Sequence, residues 1–292
     1  MKLGVSTYSL YQALSKGEMS ALDVIRYVAE IGGEHVEIVP LGFNLHDNPE
    51  LIGSMKREAA AHGLELSNYA VGANFADLDD EAYEREIARI KEEVDIAAAL
   101  GVKLMRHDVA SSKDLSIGNF LRQLPRLAEA CRRIADYAAA KGITTSVENH
   151  GYFIQHSDRV QALVHAVGRP NFKTTLDIGN FLCADEAPET AVANNIGLAS
   201  MVHFKDFYRR PSHRAPGAGW FASSGGSWLR GAIVGHGDID LPEIVRIVKA
   251  SGYDGYISIE FEGMEDCRLG TKLGLEYVRK LWNESKPEVR IG

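Results

Sequence analysis

Short runs rich in β-branched and aromatic residues alternate along this chain with stretches of helical period. Eight runs read as strands: KLGVST, EHVEIV, LELSNYAV, VKLMRHDV, ITTSVEN, FKTTLDI, ASMVHFK and GYISIEF. The helical pattern is clearest in EAYEREIARIKEEVDIAAALG, where Ile87, Ile90, Val94 and Ala97 fall on one apolar stripe and Gly101 supplies the stop. Similar stops stand ahead of other strands at Gly63, Gly142 and Gly252. The unit is therefore strand, loop, helix, glycine, repeating at roughly 30 to 40 residues. Eight such units predict a single-domain α/β fold, a (β/α)8 TIM barrel over residues 1–284, with SKPEVRIG (285–292) as a C-terminal tail. A doubly wound open sheet is the competing architecture. It is disfavoured because KLGVST runs into YSLYQAL and not into a glycine-rich phosphate turn.

One connection breaks the rhythm. From Asp206 to Asp240 no strand–helix unit is evident, and the stretch (206–240) is far longer than an ordinary βα loop. It carries Trp220, Phe221 and Trp228, too apolar for a free linker. Two readings follow: a lid that closes over substrate or meets a neighbouring subunit, or an insertion pinned to its own barrel by those aromatics. The stretch SSGGS, Ser223 to Ser227, is a weak glycine-rich candidate for a phosphate cradle. No Walker-type loop appears elsewhere, so a small-molecule ligand without phosphate is favoured.

Composition narrows the function classes. With 292 residues, 45% hydrophobic and 25% charged, the chain has enough apolar residues to fill a barrel and the layer beneath its helices. A net charge of −8 argues against tracking nucleic-acid phosphates. Cys131, Cys183 and Cys267 are odd in number and show no paired spacing, so neither a disulfide framework nor a zinc knuckle is expected. The opening MKLGVSTYS is already a strand, and no apolar run has signal-peptide or membrane-spanning length. The expectation is a cytoplasmic protein with no membrane partner.

The chemistry gathers at strand ends. Glu148, Asp177, His203 and Glu260 each lie at the C-terminal end of a predicted strand, and in a parallel barrel those ends converge on one mouth. Any one of them alone reads better as a polar strand end bonded to backbone. Together, three carboxylates and one imidazole make a hard, mostly oxygen donor set suited to Mn²⁺ or Mg²⁺, with Co²⁺ or Zn²⁺ also accommodated. Removing a proton beside a ketone creates an enediolate, and a cation at the adjacent oxygens stabilises its charge. Two carboxylates can then remove and return the proton. Return to the other face of the same carbon epimerises, and return to the neighbouring carbon isomerises. Loss of a β-hydroxyl dehydrates.

The set VENH, LDIGN, HFKD, GHGDID and IEFEG resembles the xylose isomerase-like barrel superfamily of sugar isomerases and epimerases, over nearly the whole chain. The resemblance implies one divalent cation held by Glu148, Asp177, His203 and Glu260, with both glutamates exchanging protons with substrate. It also implies that Arg209 contacts a substrate oxygen near the metal.

Further candidates surround this set. His150 and Asn149, next to Glu148, are placed to contact substrate or to hold the ligand, with capping as the alternative. Arg106 and His107 end the fourth strand, and for His107 burial against backbone is the competing reading. Strand alternation puts Lys205 on the side of His203 and Asp206 on the other. Lys205 therefore reaches either a substrate oxygen or a neighbouring carboxylate. Glu37 is a candidate acceptor for a sugar hydroxyl, and Tyr8 a candidate pocket wall. Glu262 rivals Glu260 but lies further out, and His236 reads as structural.

Two positions depart from the ketose 3-epimerases of the superfamily. Asn180 stands where many of them have a substrate-binding histidine, and Ile154 where many have a second glutamate. Asn180 retains hydrogen bonding to substrate but cannot carry a proton. Keto-inositol dehydratases and isomerases therefore stay open. Two-metal xylose isomerases carry extra acidic ligands not found here, so one metal is expected. Abasic-site endonucleases share the barrel but gather three zinc ions with many more ligands, which the charge and ligand count disfavour. A sugar-binding barrel without activity is a third class. A homo-oligomer, dimer or tetramer, is the expected assembly.

Overall fold

A computed structural model describes residues 1–285; the tail expected at 285–292 lies, apart from Ser285, outside the described residues. Its strands are β1 (Lys2–Ser6), β2 (His35–Ile38), β3 (Glu65–Val71), β4 (Leu104–His107), β5 (Thr144–Glu148), β6 (Phe172–Asp177), β7 (Ala199–Phe204), β8 (Asp206–Arg210), β9 (Phe221–Ala222), β10 (Trp228–Ala232) and β11 (Tyr256–Ile259). The helices are α1 (Tyr11–Ser15), α2 (Ala21–Glu30), α3 (Pro49–Ala61), α4 (Asp80–Leu100), α5 (Ile117–Ala139), α6 (Ser157–Val167), α7 (Pro188–Asn195), α8 (Leu241–Ala250) and α9 (Cys267–Glu284). Strands β1 to β7 and β11 form a closed parallel barrel in the order β1-β11-β7-β6-β5-β4-β3-β2. These are the eight runs read from the sequence.

The helices form where the pattern asks for them. In α4, Asp79 caps the N-terminus by accepting from the Ala82 amide, and Ile87, Ile90, Val94 and Ala97 are all buried against the sheet. Gly63, Gly101, Gly142 and Gly252 all have positive φ, the left-handed stop the sequence predicts. One α4 residue breaks the stripe: Glu93 is buried with the apolar residues. No helix among the described residues is long and apolar enough to cross a membrane.

The segment 206–240 is not a loop. Its β8 pairs antiparallel with β10, and β10 with β9, in a separate three-stranded sheet. Phe207, Leu229 and Val234 are buried, and the Phe207 and Phe221 rings meet edge to face at 5.7 Å. The sheet is fastened at its base by Asp206, which accepts from the amides of Phe207 (2.9 Å), Gly235 (3.0 Å) and Gly237 (2.9 Å). Burial pushes the Asp206 carboxyl up to about 6 against those bonds. A Cβ at Gly237 would come within 2.1 Å of that carboxylate, so the turn needs glycine. His236, in the same turn, is exposed. The SSGGS stretch is filled from within: the Ser223 hydroxyl and the Gly225 amide both donate to Asp185. A phosphate cradle there is thereby corrected to an anchor for a side chain of this chain.

Candidate functional site

Register brings the four strand ends together. Asp177 of β6 lies directly opposite His203 of β7, and His203 opposite Ser258 of β11, two residues before Glu260. Glu148 pairs with Thr175, two before Asp177. With side chains alternating along each strand, all four point to the same face, inside the barrel mouth. One donor atom from each lies within 4.8 Å of the others, and all four residues are buried.

Two of the four residues keep a donor atom without a hydrogen bond. Asp177 Oδ1 accepts from the amides of Gly179 (2.7 Å) and Asn180 (2.8 Å), which leaves Oδ2 without a hydrogen-bond partner. His203 Nε2 meets Glu37 at 3.0 Å, and Nδ1, also unpartnered, faces Glu260 Oε2 (3.7 Å) and Glu148 Oε1 (3.9 Å). With Nε2 turned to Glu37, Nδ1 is the nitrogen that would face a cation, after losing the proton that the surrounding carboxylates otherwise hold on the ring. Asp177 Oδ2, whose one charged neighbour within reach is the Lys205 ammonium at 3.3 Å, and His203 Nδ1 are both buried without a hydrogen bond amid further carboxylates, an arrangement that fits a hard divalent cation.

Electrostatics around the cluster are tightly compensated. Burial pushes Asp177 up to about 6, Lys205 opposes the rise, and Glu148 and Glu260 add to it. Burial also disfavours charge on Glu148, but Arg106 first and His203 next hold it below the usual carboxylate range. Arg106 reaches Glu148 Oε2 through Nε (2.6 Å) and Nη2 (2.5 Å). Glu260 is held low in the same way, with Lys205 and then His203 outweighing burial. The Lys205 ammonium lies 2.7 Å from Glu260 and 3.3 Å from both Asp177 and Glu262. Against burial, Glu37 and Glu260 raise His203 to about 10.

A cavity of about 510 Å³ opens over the cluster, and Tyr8, Arg106, Asp108, Glu148, His150, His203, Lys205, Glu260 and Glu262 line it. A family model described as xylose isomerase-like TIM barrel matches residues 25–281. The chain belongs to the xylose isomerase-like TIM barrel family. No curated protein matches it by sequence. Among solved structures, this member of the family is similar to the probable 3-DHS dehydratase AsbF from Bacillus anthracis, at 18% identity, 96% of this chain and 99% of that one, with a TM-score of 0.74. D-Psicose 3-epimerase with D-tagatose, from Clostridium cellulolyticum H10, matches at 18% identity, 97% and 99% coverage and a TM-score of 0.69. A xylose isomerase-like TIM barrel protein from Mycobacterium smegmatis in complex with magnesium matches at 16%, 96% and 97%, with a TM-score of 0.69. At these identities the likeness is one of fold.

Within this xylose isomerase-like barrel, the outer candidates divide. Tyr8, His150 and Lys205 line the cavity; Tyr8 is pushed up to about 12 by burial and then by Glu262. Asn149 bridges β5 to β6, its amide donating to Asp177 O (2.8 Å) and accepting from Asp177 N (2.9 Å). Asn180 is buried between Glu148 Oε1 (3.0 Å) and Lys205 Nζ (3.4 Å), and it positions those groups without lining the cavity.

Three expected substrate contacts are corrected. Glu37 is fully buried and spends its carboxylate on His203 and on Asn68 Nδ2 (2.8 Å), so it is a partner of the imidazole and not an acceptor for a sugar hydroxyl. His107 faces the helix layer between Phe75 and Phe172, because its neighbour Arg106 takes the inward face; burial lowers its imidazole to about 4. Arg209 lies on β8, outside the cavity lining, with its guanidinium at Ser227 Oγ (3.2 Å) and Asp185 (3.6 Å). Strand β8 belongs to a second sheet, so its faces do not continue those of β7.

The sequence reading missed Asp108, held at about 2 because Arg106 and then His150 outweigh its burial, and also Arg89, Glu93 and His46. Glu93 had a visible signal: a carboxylate on the apolar stripe of α4. Asp108 had only its place just past β4.

Proposed function

We propose that this chain is a divalent-metal-dependent isomerase or epimerase of a ketose or keto-sugar, working through an enediolate, with Glu148 and Glu260 as the proton carriers. One observation carries the reading. The two carboxylates stand at the end of β5 and just past β11, three strands apart round the ring, both buried, both held ionised, and both lining one cavity. Names of structurally similar proteins, a sugar 3-epimerase among them, agree with it.

Glu148, Asp177, His203 and Glu260 would hold the cation, with Mn²⁺ or Mg²⁺ as the expected metal. A cation bound there supplies Lewis-acid stabilisation of negative charge on adjacent substrate oxygens. The chain supplies the rest. Glu260 Oε2, set by the Lys205 ammonium, and Glu148 Oε2, set by the Arg106 guanidinium, approach a substrate from different strands. One abstracts the proton and the other returns it. Pairing with fixed cations keeps both carboxylates ready as bases and fixes their direction. His150 and Tyr8 contact substrate hydroxyls at the cavity wall.

A dehydratase acting on a keto-inositol or keto-sugar is the second reading. It is favoured by Asn180 and Ile154: the amide is committed to Glu148 and Lys205, and Ile154 is buried, its backbone bridged to His150. The sheet of 206–240 acts in this scheme as a brace and not as a lid. Among the described residues that line the cavity none comes from it, and Tyr152 on the β5–α6 loop donates to Ala222 O (2.9 Å).

Proton NMR in D₂O, with Mg²⁺-loaded protein and a panel of ketoses, keto-sugars and keto-inositols, decides between them. Deuterium entering a recovered or epimeric sugar supports the isomerase or epimerase. A deoxy-keto or alkene product supports the dehydratase, and neither signal across the panel overturns both.

A further inference from the structure

The cavity does not end at the cluster. On β3, Asn68 faces the barrel interior, where it bonds Glu37, while the next residue, Tyr69, faces the helices and donates its hydroxyl to Glu93 of α4 (2.7 Å). Yet one continuous cavity is lined by Glu148 and Ala70 inside the barrel and by Glu93 and Arg89 in the helix layer. It therefore passes over the ends of β2 and β3 and runs outward as an arm.

The arm has an apolar wall and a polar end. Its wall is the β2–α3 loop, which brings Phe43 and Leu41, the latter 41% exposed. That loop is ordered: the Asn44 side chain accepts from the His46 amide (3.0 Å), and Leu45 is buried beneath it. At the far end the Glu93 carboxylate is already shared by Tyr69, His46 (2.9 Å) and Arg89 (3.3 Å). Glu93 holds the His46 and Arg89 side chains there, Arg89 being held as well by Glu86 (2.8 Å) and by Gly72 O (2.7 Å), and both residues line the cavity. A volume of about 510 Å³ falls in the range that encloses drug-sized ligands and exceeds what one sugar ring over the cluster needs. A loop that holds leucine and phenylalanine against an open arm gains stability when an apolar group covers them. A flat ring satisfies both kinds of lining, because it packs on Leu41 and Phe43 and takes the planar Arg89 and His46 groups against its face.

We propose that this arm is a specificity subsite for an aromatic substituent, so that the substrate is a sugar or keto-sugar bearing an aryl group. The sugar half of that statement rests on the isomerase or dehydratase reading above; the aryl half rests on the arm alone.

The test uses phenol as the probe and the full chain labelled with ¹³C in its leucine methyl groups. The Leu41 signals are assigned by their loss in Leu41→Ile. Phenol is expected to shift them saturably, and Phe43→Ser to weaken that binding at least tenfold while methyl signals away from the loop stay in place. With Mn²⁺ bound, phenol protons are expected to relax faster in the wild type, and at least tenfold more phenol is needed for the same effect in Leu41→Ser. Leu41 signals that do not move, a shift unchanged by Phe43→Ser, or no relaxation with Mn²⁺ bound would each overturn the subsite. Failure of the metal-centre reading is separate: Mn²⁺ binding measured by electron paramagnetic resonance would then be indifferent to Asp177→Asn, with the phenol shifts intact.

Discussion

The two walls of the cavity are built by different rules. On the side of β5, β6, β7 and β11, charged groups hang from strand ends whose register fixes them to one another: Asp177 faces His203 across a ladder, Glu148 pairs with Thr175, two before Asp177, and Glu260 follows by two the Ser258 that faces His203. On the side of β2 and β3, the wall is the loop after β2 and a mid-helix carboxylate, Glu93. Reaction chemistry that needs sub-ångström placement is carried by the sheet, and recognition that tolerates change is carried by the loop. The first wall should fail abruptly when altered and the second by degrees.

The largest expected effect is on the proton carriers. Glu148→Gln or Glu260→Gln should keep the fold and lower solvent-deuterium incorporation by about 10³-fold, in the range of general acid–base contributions. Substantial residual exchange in either variant removes that residue from the proposed role. Next is the support beneath His203. Glu37→Gln takes away the charged partner that sets the imidazole, and Mn²⁺ affinity should fall roughly 10–100-fold. Paramagnetic resonance titration measures it, and an unchanged affinity breaks the link between the two residues.

A third prediction concerns pH and sits outside both walls. Burial lowers His35 and His107 from the ordinary 6.5 to about 4 in the folded chain. A depressed histidine contributes stability that is fully present above pH 6.5 and is lost as pH falls toward 4, because the unfolded chain binds the proton first. Each shift corresponds to on the order of 3 kcal/mol. Asp177 and Asp206, raised to about 6, act with the opposite sign over the same range, so the decline is read as a difference: in urea unfolding from pH 7 to pH 4 the wild type should lose stability relative to His107→Gln. The smallest effect belongs to the brace. Tyr152→Phe deletes one bond to Ala222 and should cost about 0.5–1.5 kcal/mol of stability, with turnover nearly unaffected. A collapse of turnover would mean that the β8–β10 sheet controls the reacting wall directly.

The sequence carried the first wall well and the second poorly. Polar residues at successive strand ends, and the parity that sets Lys205 beside His203, are local patterns, and the structure keeps them. Parity also explains the failures. Both Arg106 and His107 are polar, so the pattern did not say which faces inward, and a shift of one residue reverses the answer. Arg209 came from the family resemblance and not from any local pattern, and it stands on β8, which begins a different sheet. The antiparallel pairing of β8 with β10 left no alternation strong enough to read through its glycines and prolines. Glu37 is separated by 166 residues from the imidazole it orients, and nothing local in either strand announces such a partner.

That contact has a consequence for how the molecule is made. Strand β2 emerges early in synthesis and β7 late, and they lie well apart on the ring, joined through its interior by one carboxylate and one imidazole. A C-terminal fragment comprising β5 to β11 would own every ligand and still present His203 in no fixed orientation. On the metal reading proposed above, competence to bind a cation would be acquired only when the first quarter of the chain closes onto the last third, and a half-grown chain would offer no properly set site for a stray ion to occupy.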